Sequence, residues 1–77
     1  MPWVLLDSSL FRAARYSEDK QSLDLEFRSG AIYRYFEFHP DEYAEFMNAD
    51  SHGAHFNHYI VGQFPEEQIR PARTKRR

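Results

Sequence analysis

The chain has 77 residues, no cysteine, thirteen aromatic side chains and a formal net charge of −2. That length allows one domain, and a domain of this size buries only about 60% of the surface its unfolded chain exposes. Disulfides are excluded and there is no Cys2His2-type ligand set, so stability has to come from aromatic packing or self-association.

The charge is unevenly spread. Through residue 69, five basic side chains stand against all twelve acids, a net of −7, and Arg70, Arg73, Lys75, Arg76 and Arg77 then supply +5 in eight residues. The pattern predicts an acidic body carrying a basic tail. Trp3-Val4-Leu5-Leu6 is apolar for only four residues before Asp7, too short for a signal-peptide core or a bilayer span. The expectation is a cytoplasmic protein with no membrane role, which suits the lack of cysteine.

In chain order, residues 1–7 read as an arm laying Trp3, Leu5 or Leu6 on the body. Leu10 to Tyr16 form a first strand with imperfect alternation, as a bulge or an edge position produces. Ser17 to Gln21 make a polar turn. Ser22 to Phe27 alternate strictly, with Leu23, Leu25 and Phe27 on one face and Asp24 and Glu26 on the other. Arg28-Ser29-Gly30 suits a three-residue hairpin loop with Gly30 in the left-handed region.

The third strand runs from Ala31 through Ile32, Tyr33, Arg34, Tyr35 and Phe36 to Phe38. A three-residue loop sets Leu25 opposite Tyr33 and Leu23 opposite Tyr35, so both tyrosines share the face to be buried. Ile32, Arg34, Phe36 and Phe38 fall on the other face, which is half apolar and suited to cover by the arm or a second subunit.

Pro40 then opens a helix, with Asp41 and Glu42 at its positive end and Tyr43, Phe46 and Met47 as its apolar stripe. Ser51 caps a second helix, His52 to Val61, with Phe56, Tyr59 and Ile60 inward and Gly62 as its stop. Residues 66–77 carry too little apolar surface to fold and read as a disordered basic tail. The predicted fold is α+β, a three-stranded antiparallel meander with one or two short helices on one face.

Ser8-Ser9, Tyr16, Leu23-x-Leu25-x-Phe27, Gly30, Tyr33-x-Tyr35, Pro40, Tyr43, Phe46 and Ala49-x-Ser51-x-Gly53-x-x-Phe56-Asn57-x-x-Ile60 recur here in order. In that order the chain resembles the KTSC domain family over about residues 8–65. That family is named from the C-terminus of some lysyl-tRNA synthetases and also occurs as free-standing bacterial proteins; its central mark is a YxY motif, here Tyr33-Arg34-Tyr35. The histidine run and the arginine-rich tail depart from its usual pattern. The resemblance implies a small binding module, with RNA or a translation-linked component as partner.

For the site, Tyr33 and Tyr35 have two readings, bases stacked on a strand or rings packed under helices, and the register favours burial. Arg34 lies on the other face beside Arg12 and Arg28, where Asp24 and Glu26 blunt any basic patch by cross-strand pairing. Arg70, Arg73, Lys75, Arg76 and Arg77 are the electrostatic candidates for phosphate contact, set against a merely solubilising terminus.

His52, His55 and His58 recur every third residue, a spacing open to zinc, nickel or copper, but Gly53 and a buried Phe56 between them favour surface histidines and no metal. Ser51, His55 and Asn57 show no nucleophile elbow, and no glycine-rich phosphate loop accompanies them, so neither an enzyme nor a cofactor is expected. The leading expectation is a non-catalytic binding module of the KTSC type, engaging RNA or a translation-linked partner. The alternative is a protein-interaction or homodimerisation module, motivated by the acidic body and the apolar Ile32, Phe36 and Phe38.

Overall fold

A computed structural model describes residues 2–73 and shows an α+β domain built on a five-stranded antiparallel sheet in sequence order. The strands are β1 (Val4–Leu5), β2 (Phe11–Ser17), β3 (Ser22–Phe27), β4 (Ile32–Tyr35) and β5 (Glu66–Arg70). Between β4 and β5 come α1 (Pro40–Met47), a short α2 (His52–His55) and a π-helical turn, Phe56–Ile60. The central meander is as the alternation predicts, and the sheet gains one strand at each edge.

The hairpin register follows the loop length. Leu25 pairs with Tyr33 and Leu23 with Tyr35, and the Phe27 amide closes the loop on the Ala31 carbonyl at 2.8 Å. Gly30 has φ +99°, and a Cβ there would lie 2.8 Å from the Arg73 side chain. Both backbone angle and space therefore require glycine. The irregular first strand carries a bulge, with the pairing to β3 shifting between Phe11 and Ala13. The extra residue lets Phe11 and Ala14 both face the core.

The structure corrects three expectations, at the end of β4, in the C-terminal segment and at Tyr59. The strand ends at Tyr35, and Glu37 takes a positive φ of 58°, which reverses the alternation. Phe38 consequently turns inward, 1% exposed, and leaves the outer face. There its carbonyl accepts a 2.6 Å hydrogen bond from the Tyr16 hydroxyl.

Glu66–Arg70, expected to be disordered, pair with β4 along its length. One apolar residue in five hides this strand from any alternation test, and its charged side chains suit a sheet edge. It is held by the β4 ladder and by Arg70, which donates to the Gly30 carbonyl at 2.9 Å and to Glu26 at 3.0 Å. The Arg73 amide adds a 2.9 Å bond to the Ser29 carbonyl. Residues 66–73 thus strap the β3–β4 hairpin.

The helices cover one side of the sheet. Glu42 accepts from the His39 amide at 2.7 Å at the start of α1, and Ser51 Oγ accepts from the Ala54 amide at 3.1 Å at the start of α2. The Val61 amide reaches the Phe56 carbonyl at 2.9 Å, an i to i−5 bond that widens the turn. Phe56 and Ile60 remain inward, while Tyr59, predicted to join them, points to solvent and packs on His55. Phe56 is the hub of the core, edge-on to Phe11, Phe27 and Tyr35 at 5.2–5.8 Å. Aromatic packing of this kind is what a small cysteine-free domain requires.

The candidate site on the open face of the sheet

Antiparallel sheets commonly bury one face and leave the other to water. Leu23 and Leu25 lie in the core, so Asp24 and Glu26, which alternate with them, point to the opposite, open face. Asp24 stands between Arg15 of β2 and Arg34 of β4, its register partners on either side. Arg34 Nε donates to Oδ1 at 2.8 Å and Nη2 to Oδ2 at 3.1 Å. Arg15 Nη2 donates to that same Oδ2 at 2.8 Å.

Burial alone would raise the Asp24 carboxyl, which is only 4% exposed. The hydrogen bonds and charges of Arg34 and Arg15 outweigh that and hold it below the usual carboxylate value. The far side of Arg15 stacks on Trp3, its guanidinium carbon 4.3 Å from the ring centroid. Glu67 of β5 lies opposite Arg34. One row across the sheet therefore reads Trp3, Arg15, Asp24, Arg34, Glu67.

The neighbouring row centres on Glu26, with Arg70 at 3.0 Å and Arg12 at 3.9 Å. Arg12, Arg28 and Arg73 surround a cleft of about 520 Å³ with Glu26, Ser29 and Gly30. Arg15, Lys20 and Arg34 line a second cleft of about 250 Å³ with Asp24, Ser17 and Ser22. Every described lysine and arginine thus lies on the open face or its hairpin ends. Residues 35–65, which build the helical layer, contain five acids and no lysine or arginine. The acidic body of the sequence is thus uneven: the helical layer holds acids and no lysine or arginine, while the rest of the described chain balances seven cations against seven acids.

The predicted site residues divide accordingly. Tyr33 and Tyr35 share the helix-covered face, as the register requires. Tyr35 is 2% exposed and packs edge-on against Phe56 at 5.8 Å, leaving no ring face for a base; burial, then the nearby Glu66, pushes its hydroxyl well up. Tyr33 is half-buried against Phe27, and its hydroxyl accepts from Gln68 Nε2 at 3.1 Å. Arg34 is on the open face. Arg70 and Arg73 join it there through the β5 strap, while Lys75, Arg76 and Arg77 lie outside the described residues.

Cross-strand pairing blunts the patch at Asp24 and Glu26 as anticipated, but only partly. Seven described cations share the open face and its ends with Asp24, Glu26 and Glu67 and with Glu18 and Asp19 of the β2–β3 turn. Sequence reasoning missed Arg15 and Lys20 as site residues. The register pairing of Arg15 with Asp24 was the available signal for the first; the position of Lys20 depends on the turn.

His52 Nδ1 sits 3.0 Å from the Phe46 carbonyl, and His58 packs near Tyr59. Among the described residues, no group of three or more His, Cys, Asp or Glu side chains gathers to hold a metal ion. No helix among them is long and apolar enough to cross a membrane.

Fold and face together define a class, a small α+β domain with helices on one side of an antiparallel sheet and arginines on the other. The chain matches the KTSC domain over residues 7–64 and belongs to that family. It is 44% identical over 63 residues to an uncharacterized protein of Stutzerimonas stutzeri, covering 82% of this chain and 89% of that one. It is 37% identical over 68 residues to a lysine–tRNA ligase of Nostoc punctiforme, covering 88% of this chain. The chain spans about 12% of the length of that ligase. The crystal structure of a KTSC domain protein from Yersinia pestis superposes with a TM-score of 0.85 at 28% identity, over 88% of this chain and 96% of that one.

Proposed function

We propose that this domain is a non-catalytic, cytoplasmic RNA-binding module that uses the open face of its sheet. The observation that carries the reading is the segregation of charge. Every described lysine and arginine stands on that face or its ends, and the charged residues of the helical layer are acids. Exposed arginines contact phosphates and release counterions, giving binding that weakens with salt and carries little sequence preference. Arg12, Arg28 and Arg73 around the larger cleft are the exposed contacts; Arg15 and Arg34 are fixed ones. The occurrence of the same domain within lysine–tRNA ligases adds weight to RNA as the polyanion. The self-association alternative loses part of its motive, because Phe38 is in the core and Ile32 and Phe36 are only partly exposed.

Labelled tRNA and single-stranded RNA should be titrated at low and moderate salt. Binding that falls steeply with salt, and that is lost when the cleft arginines become glutamine, is expected. No binding at low salt, or binding indifferent to those arginines, would overturn the reading.

A further inference from the structure

The smaller cleft is more than part of a general basic surface. Arg15 and Arg34 come from different strands, yet their Nη2 atoms meet at one oxygen, Asp24 Oδ2, at 2.8 and 3.1 Å. A single buried carboxylate therefore holds two guanidiniums together, and Trp3 fixes Arg15 from behind. Neutralising Asp24 needs only one of them. With Lys20 from the β2–β3 turn, the lining carries three cations against one carboxylate, beside Ser17 and Ser22. Glu67 lies across from Arg34, and Glu18 and Asp19 lie in the turn, but none of these lines the cleft.

The geometry points to a phosphate-monoester site here, taking the terminal phosphate of an RNA strand. An internal phosphodiester carries one charge. A terminal phosphate carries about −1.5 to −2 at neutral pH and offers three strong acceptor oxygens. Three cationic groups converging from β2, β4 and the turn match the monoester better. Each guanidinium retains N–H donors beyond those given to Asp24, in the fork geometry that suits phosphate. The cleft, about 250 Å³, is roomy enough for a phosphate group.

The RNA arm of the test rests on the function proposed above, and the free-phosphate arm does not. Two oligoribonucleotides of one sequence, bearing a 5′-phosphate or a 5′-hydroxyl, are compared at fixed salt. Inorganic phosphate is titrated separately while the Arg15 and Arg34 Nε–H resonances are followed by NMR. The phosphorylated strand should bind about tenfold tighter, the factor from one charge-assisted hydrogen bond at the low end of its range. Inorganic phosphate should shift both resonances saturably.

Lys20→Gln should abolish the preference and weaken the phosphate response without moving the melting temperature, because Lys20 is exposed and outside the Asp24 network. Equal affinity for the two strands overturns the site and leaves RNA binding standing. Saturable, Lys20-dependent phosphate binding with no RNA binding upholds the anion site and overturns the RNA reading.

Discussion

The Tyr16 hydroxyl donates a 2.6 Å hydrogen bond to the carbonyl of Phe38, joining β2 to the turn after β4. Both residues are in the core, and the bond satisfies a carbonyl with little access to water. Tyr16→Phe should cost about 1–3 kcal/mol, the penalty for orphaning a buried acceptor. In a domain this small, that lowers the melting temperature by roughly 4–8 °C per kcal/mol. A thermal melt indistinguishable from the parent would show that the Phe38 carbonyl finds another partner.

The positive φ at Glu37 makes that inward turn possible, and a side chain there is strained. Glu37→Gly should remove the strain but add freedom to the unfolded chain, for a net gain below about 1 kcal/mol. Glu37→Val, β-branched, should destabilise. Urea unfolding of both variants checks the pair, and a stabilising valine would contradict the backbone assignment.

The two tyrosines of the YxY motif should separate energetically. Tyr35→Ala empties a fully enclosed aromatic site and should cost roughly 3–5 kcal/mol. Tyr33→Ala, half-exposed, should cost roughly 1–3 kcal/mol from lost apolar burial. Neither change should affect the salt dependence of RNA binding, because both rings lie under the helices. Chemical unfolding and RNA titration of each variant would test both halves of the expectation.

Asp24 makes stability pH-dependent. Its carboxyl is held below the ordinary value of 3.8 in the folded state, so its contribution is fully present above that unfolded value. The contribution is lost as pH falls below about 4 through the folded value. Asp24→Asn should flatten the stability–pH curve in that window and leave its shape above pH 5 unchanged. Equilibrium unfolding at a series of acidic pH values measures it. Parallel acid limbs for the two proteins would mean that other carboxylates dominate.

Phosphate contact by the open face predicts a countable salt effect. Arg12 is exposed, and Arg73 is anchored through its backbone, so Arg12→Gln with Arg73→Gln should spare the fold. The pair should reduce the slope of log affinity against log salt by about 1.4 for single strands. Fluorescence anisotropy across a salt series measures this, with a melt as control for folding.

The meander, its hairpin register, the start of α1 and the Ser51 cap were legible by eye, because each depends on neighbours in the chain. Strict alternation from Ser22 to Phe27 and a three-residue loop ending in Gly30 suffice to set Tyr33 against Leu25. Family membership was legible for the same reason, as an ordered series of local signals. Other features depend on the tertiary structure. The left-handed turn at Glu37 sends Phe38 into the core, and nothing in that residue's identity announces it.

Glu66–Arg70 become a strand only because β4 offers an unpaired edge and Glu26 a partner for Arg70. The π-helical turn that expels Tyr59 likewise depends on packing Phe56 and Ile60 against the sheet. The largest change concerns charge. Summed along the chain, residues 1–69 are simply acidic. Alternation in the strands gathers the arginines on the open face beside Asp24, Glu26 and Glu67, and helices without lysine or arginine leave acids alone on the covered side, because a sheet with one covered face must send its arginines to the other.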